Sequence, residues 1–366
     1  YIGTDGPLYI ADTGNNRIVL VSRDLRNARV IDSFWNDGVK DGFKEPQGIY
    51  VDAENGRIYV ADTLNKRVVV LERDGTLARI VGEPKSSLIR GNFQYAPIKL
   101  AADKAKRLYV VSKGSYEGLM EFDVDGNFTG FIGTNRVRFN PIDLLWKRIS
   151  TSEQRGQMEL FVPLEFNNID VDDQGFIYTT TSDTGSTDLV KRLNPSGVDI
   201  LRREGYFPPK GDLQFPQTGN LPGGSIFIDV VADQAGIYHT LDFKRGRVFT
   251  YDKDGNLLYQ FGGVGNQAGR FKAPSAIDIY EDLVYVADRT LGTITVFEPT
   301  EYGAAVRTAV ISHYHGKMGE AADAWREALR LNQNNEIAYI GIGKALLKQD
   351  RFKEAMEYFK LGHDRR

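Results

Sequence analysis

Two acidic clusters, Asp123-Val124-Asp125-Gly126 and Asp252-Lys253-Asp254-Gly255, are the most direct invitation to chemistry in this chain. Paired carboxylates ahead of a glycine can open a calcium loop. Each cluster lacks the third acidic ligand and the glutamate twelve positions on that such a loop supplies, so each is expected to be a turn. Histidine is scarce, with four in 366 residues and only His239 before residue 300. One histidine cannot assemble a multi-histidine metal centre and reads as a packed side chain. The chain has no cysteine, which removes disulfides and thiolate metal sites. No Ser/His/Asp set and no glycine-rich phosphate loop appears. The expectation is a protein that is not an enzyme and needs no cofactor, with a structural calcium left open by the acidic turns.

The elements that would position any site are clearest between Pro46 and Glu83. Four runs, GIYVD, RIYVAD, RVVVLER and LARIVGE, have strand length, with turn chemistry at Glu54-Asn55-Gly56, Leu64-Asn65-Lys66 and Asp74-Gly75. A four-stranded meander cannot bury its own faces, and the chain repeats it. Tyr59-Val60-Ala61-Asp62 is preceded by Tyr9-Ile10-Ala11-Asp12 and followed by Tyr109-Val110-Val111-Ser112, with further copies at Tyr178, Tyr238 and Tyr285. Six units at a period of roughly 40 to 50 residues predict an all-β six-bladed β-propeller over residues 1–300. The set P-x-G-I-x-V-D followed by Y-V-A-D-T-x-N-x-R-V resembles the NHL repeat. Asp12, Asp62 and Asp288 are expected to accept backbone N–H groups of the following turn, and Asn15, Asn16 and Asn65 to take up left-handed backbone. Residues that recur in several units build the scaffold, so departures from the repeat are the better functional leads.

Two departures stand out. Residues 134–166 interrupt the repeat with a helical pattern, Pro141, Ile142, Leu145, Trp146 and Ile149, and offer Trp146, Lys147, Arg148 and Arg155 for partner binding. Residues 205–224 form a glycine-rich loop carrying Phe207 and Phe215. After Pro299 the period changes from 2 to 3.6. Ala321 and Trp325 are matched 34 residues later by Ala355 and Phe359, so 301–366 resembles two tetratricopeptide repeats, an all-α domain of four helices. The sixth unit holds only three strands. Because Tyr1 falls inside a strand pattern, residues upstream of it are expected to supply the fourth.

The insert 134–166, together with QMELFVPLEFNNIDVDDQGFIY, resembles a family of Gram-positive proteins that join an NHL propeller, tetratricopeptide repeats and a multi-pass membrane domain. That resemblance implies an extracytoplasmic, cell-surface or membrane-anchored scaffold. Its protein partners would be membrane-associated, its tether would lie outside this fragment, and its role would be accessory to carbohydrate uptake. Residues 1–301 carry 35 basic and 41 acidic side chains, net −6, and 302–366 carry 11 and 8, net +3. An acidic propeller lacks the cationic excess that phosphate backbones demand, so nucleic acid is not expected. The competing reading is a small-molecule or glycan site, or a gluconolactonase-like calcium-dependent hydrolase, at the central channel. Aligning the first strands on Gly48 places Lys99, Asn168, Asp229 and Ala276 there, with Gln47 and Ser275 beside them. Two oxygen ligands are few for calcium, and Lys99 would oppose one.

Overall fold

Short antiparallel strands joined by tight turns occupy the chain as far as Phe297, and four helices follow. The computed structural model describes residues 1–3, 6–89, 93–133, 165–181, 188–213 and 223–363. Trp146, Lys147, Arg148, Arg155 and Phe215 lie outside the described residues.

The first sheet is β1 (Leu8–Asp12), β2 (Arg17–Val21) and β3 (Ala28–Ile31), with Ile2 bridged to Leu8 alongside it. The second is β6 (Pro46–Val51), β7 (Ile58–Asp62), β8 (Arg67–Leu71) and β9 (Leu77–Val81), preceded by a hairpin of β4 (Ser33–Asn36) and β5 (Val39–Gly42). The third is β10 (Pro97–Ala102), β11 (Leu108–Ser112), β12 (Leu119–Phe122) and β13 (Phe128–Ile132). The fourth is β14 (Phe166–Val171), β15 (Ile177–Thr181) and β16 (Val190–Leu193). The fifth is β17 (Phe227–Ala232), β18 (Tyr238–Asp242), β19 (Arg247–Tyr251) and β20 (Leu257–Gly262). The sixth is β21 (Pro274–Tyr280), β22 (Leu283–Asp288) and β23 (Thr293–Phe297). Every sheet is an antiparallel meander in chain order.

Four strands per unit is therefore not uniform. In the fourth sheet the outer strand shrinks to a single Leu193–Asp199 bridge, and among the described residues nothing pairs with the free edge of β23. Phe166, placed in the insert by its sequence, opens β14 instead. The β4–β5 hairpin was not anticipated. Its signal was Asp37-Gly38, whose φ angles of 48° and 80° are those of a type I′ turn.

First strands of successive sheets lie side by side, β6 against β10, β10 against β14, β14 against β17 and β17 against β21. The sixth sheet reaches the first through the Ile2 N–H, which donates to Asp278 at 2.7 Å, and through Arg23, stacked 4.9 Å over the Tyr280 ring. Hydrophobic cores fill the spaces between neighbouring sheets, as where Ala61 and Val70 meet Val110 and Met120. β7, β11, β15 and β18 are buried at every residue, because a sheet with sheets on both sides has no face left for water. Gly48 sets one of these approaches. A Cβ there would stand 2.7 Å from the Ile98 carbonyl oxygen and 2.9 Å from the Lys99 Cα.

Hydrogen bonds explain the recurring motif. Thr13 and Thr63, each next after a motif aspartate, donate to Pro46 and Pro97 carbonyls at 2.7 Å and so staple each sheet to the next. Asp62 accepts from the Lys44 N–H at 2.6 Å and from Arg67 at 2.8 Å, and Asp288 takes the N–H groups of Lys272, Ala273, Thr290 and Leu291. Only Asp288 caps the turn after its strand as expected. Asp12 and Asp62 instead hold side chains of that turn, and Asp62 also ties down the connection before its sheet. Thr13–Asn15 and Thr63–Asn65 are short 3-10 turns in which Asn15 and Asn65 donate to Asp12 and Asp62 at 2.9 Å. The left-handed residue comes one later, at Asn16 and Lys66, both with φ 55°. Asn15 and Asn65 are thus corrected from a backbone role to a side-chain one, and Asn16 takes up the left-handed backbone as expected.

The helices are α1 (Glu301–Tyr314), α2 (Met318–Leu331), α3 (Glu336–Leu347) and α4 (Phe352–His363). Thr300 caps α1 at the Gly303 N–H (3.2 Å) and Asn335 caps α3 at the Ala338 N–H (3.1 Å). Trp325 and Phe359 fill the space between helices, and a Cβ on Gly343 would lie 2.6 Å from the Phe359 ring. Val306 and Ala309 of α1 share one core with Ile237, just before β18, and Leu258 of β20, so the helices rest on the fifth sheet. Among the described residues no helix is long and apolar enough to cross a membrane.

Candidate functional site

The first strands of the second to sixth sheets bend at the same point. A register shift follows the opening residue in β6, β10, β14, β17 and β21, between Pro46/Gly48, Pro97/Lys99, Phe166/Asn168, Phe227/Asp229 and Pro274/Ala276. Gly48, Lys99, Asn168, Asp229 and Ala276 are therefore equivalent, as their alignment expected. Gln47 and Ser275 sit on the bulges. Gln47 is exposed, and the Ser275 hydroxyl donates to the Ala287 carbonyl at 3.3 Å. Neither joins the central cluster.

Two side chains and two backbone N–H groups, drawn from the third to sixth sheets, converge on Asp229. Lys99 Nζ lies 3.3 Å from its Oδ2, the Asn168 amide donates to Oδ1, and the N–H groups of Val230 and Ile277 donate at 2.9 and 3.0 Å. Asn168 also donates to the Val230 carbonyl at 3.1 Å, and its own carbonyl accepts from Thr179 at 2.6 Å. Asn168 and Asp229 are 2 % and 3 % exposed. This cluster is satisfied from within, and a metal ion would first have to displace an ammonium group. Among the described residues no group of three or more histidine or carboxylate side chains is placed to hold a metal.

Two further carboxyls escaped the sequence reading. Side chains two apart share a face of a strand, so Asp170 and Asp278 follow Asn168 and the Ala276 position on the same side. Asp170 accepts the Ala232 N–H at 2.8 Å. Burial, reinforced by the charges of Asp278 and Asp229, pushes its carboxyl up to about 7. Burial raises Asp278 as well. Period two from an already aligned position was the signal that could have found both.

A second polar cluster stands where α1 meets the fifth sheet. Arg307 donates twice to Asp233, from Nε and Nη2 at 3.0 Å, and reaches Asp282 with its third nitrogen. His239 of β18 lies with Nε2 3.6 Å from Asp233 and Nδ1 2.8 Å from the Thr250 hydroxyl, so the one histidine before residue 300 is a packed, hydrogen-bonded group. Burial pushes Asp233 up, yet the bonds from His239 and Arg307 outweigh it and hold the carboxyl at about 2.

The acidic turns are turns. Asp123 accepts from Asp125 and Asn127 N–H groups at 3.0 and 2.8 Å, and Asp252 does the same for Asp254 and Asn256. Of the aromatics proposed for partner contact, Phe207 is described and 54 % exposed, its ring set edge-on to Tyr206 at 4.5 Å. Trp35, on the unforeseen hairpin, is exposed too.

Comparison with known proteins agrees on the repeat. Residues 43–71 match the NHL repeat. No curated protein matches the chain. Among solved structures it is similar to selenomethionine-substituted virginiamycin B lyase from Staphylococcus aureus, at 12 % identity over 79 % of this chain and 75 % of that one, with a TM-score of 0.48. A catalytically inactive variant of that lyase with quinupristin gives 11 % identity over 78 % and 75 %, with a TM-score of 0.47. A streptogramin B lyase gives 13 % identity over 80 % and 76 %, with a TM-score of 0.46.

Proposed function

We propose that the protein is a non-enzymatic binding scaffold. Its six sheets are the blades of an NHL-type six-bladed propeller spanning residues 1–300. Its helices, 301–366, are two tetratricopeptide-like hairpins docked on the fifth blade. The observation that carries this reading is that Lys99, Asn168 and Asp229 are bonded to one another and to backbone groups of the central cluster. Recognition then falls to the departures from the repeat: Trp146, Lys147, Arg148 and Arg155 in one insert, Phe207 and Phe215 in the other. The partner would be a membrane-associated protein, with the scaffold working outside the cytoplasmic membrane beside a carbohydrate-uptake system. Support for that location is the family resemblance of the insert.

The test is capture of membrane-fraction proteins by chemical cross-linking. Replacing Trp146, Arg148 and Arg155 together by alanine is expected to abolish the cross-linked partner, and Asp229→Asn to leave it in place. The reverse pattern, or lactone hydrolysis lost with Asp229→Asn, overturns the scaffold reading. One observation favours a second reading. Asp170 and Asp278 bring more carboxyl groups to the centre than Lys99 can neutralise, which suits a hydroxyl-rich ligand such as a glycan. Sugar binding that disappears in Asp170→Asn would establish it.

A further inference from the structure

We propose that the cavity between α1 and the last two sheets binds a small organic cation, an amine or quaternary ammonium group on an apolar body. The cavity measures about 340 Å³, within the range of small-ligand sites. Its walls are aromatic. Tyr259 and Phe261 come from β20, Phe297 from β23 and Tyr302 from α1, with the Phe261 and Phe297 ring centres 4.8 Å apart. Aromatic faces attract cations and reject anions.

The charges point the same way. Asp233, Glu281, Asp282 and Glu298 line the cavity against one guanidinium, Arg307, and the imidazole of His239, which is already held between Asp233 and Thr250. That guanidinium is already committed, bonded to Asp233 and Asp282. Arg23 reaches Glu281 at 3.1 Å from beyond the lining, which still leaves a balance of two negative charges. The N-terminal end of α1 adds only about half a positive charge. Among the described residues Glu298 forms no ion pair, and it is an exposed lining residue that can serve as the counter-charge. An apolar body would occupy the aromatic walls while its cationic end faces Glu298. This site uses none of the residues assigned to partner binding or to the central cluster.

The full chain is titrated with phenyltrimethylammonium, benzyl alcohol and benzoate, followed by calorimetry and ligand-observed NMR. The cation is expected to bind at about 1 mM or below, with benzyl alcohol about tenfold weaker and benzoate silent. Glu298→Gln should weaken the cation about two- to fivefold without affecting benzyl alcohol. Glu298→Lys, at an exposed position, should reverse the preference towards benzoate. Gly303→Leu fills the cavity from α1, where an added Cβ meets nothing closer than 3.5 Å, and should remove binding of all three with the melting curve unchanged. Equal binding of benzyl alcohol and the cation, binding that survives Gly303→Leu in a folded protein, indifference to Glu298→Lys, or no cation binding at all overturns the proposal.

Discussion

Asp170 at the centre of the molecule and Asp233 under α1 are both withdrawn from water, yet burial leaves one carboxyl at about 7 and the other at about 2. Asp170 has only backbone N–H groups, those of Ala232 and Val171, against two neighbouring carboxyls. Asp233 has a bidentate guanidinium and an imidazole. Desolvation pushes both the same way, so the partners decide the outcome. At the centre the fold tolerates an unneutralised acid. At the junction it uses an acid to hold two parts of the chain together.

The strongest way to break this contrast is Arg307→Ala. It strands Asp233 under α1 and should cost about 3–5 kcal/mol in urea unfolding at pH 7. Because Asp233 is depressed in the folded state, its contribution is present above the ordinary carboxylate range and lost as pH falls from about 4 towards 2. The penalty of the variant should therefore shrink in acid. A loss below about 0.5 kcal/mol at pH 7 would show that the apolar contacts of α1 suffice.

Asp170→Asn probes the opposite case. A carboxyl raised to about 7 holds its proton in the folded state, so stability is full below pH 4 and declines as pH rises through 7. The variant should gain about 2 kcal/mol at pH 8 and nothing at pH 4, read as melting temperature against pH. A loss at pH 8 would mean that the ionised form has a partner which the geometry does not reveal. Thr63→Val removes the staple to Pro97 and should cost about 1 kcal/mol, more than Thr13→Val, whose staple is less buried. Smallest of all, calcium or a chelator should leave the melting temperature unmoved, since Asp123 and Asp252 spend one oxygen on backbone N–H groups and the other on the side-chain amide of Asn127 or Asn256. A shift of several degrees would reinstate a calcium site.

Much of the sheet architecture was legible because it repeats. Tyr-x-Ala-Asp followed by Thr marks a second strand and its staple, and aligning on Gly48 found the five equivalent central positions before any geometry was known. What escaped was non-periodic or paired across distance. The β4–β5 hairpin occurs once, so no repeat announced it. Asp170 and Asp278 needed only a step of two along strands already aligned, but their raised acidity depends on carboxyls brought from other sheets. Asp233, His239 and Arg307 are ordinary residues in sequence, and 74 positions separate the first from the last.

The order of side chains along the chain by itself determined the repeated meander, its turn and staple residues, and the change to helix after Pro299. Those features are local, set by periodicity, turn chemistry and backbone hydrogen bonding within a few dozen residues. Only the tertiary structure decided which carboxyls are neutralised and where a cavity opens. Charge and desolvation act through space, and Lys99 meets Asp229, or Arg307 meets Asp233, only once the sheets and helices have packed.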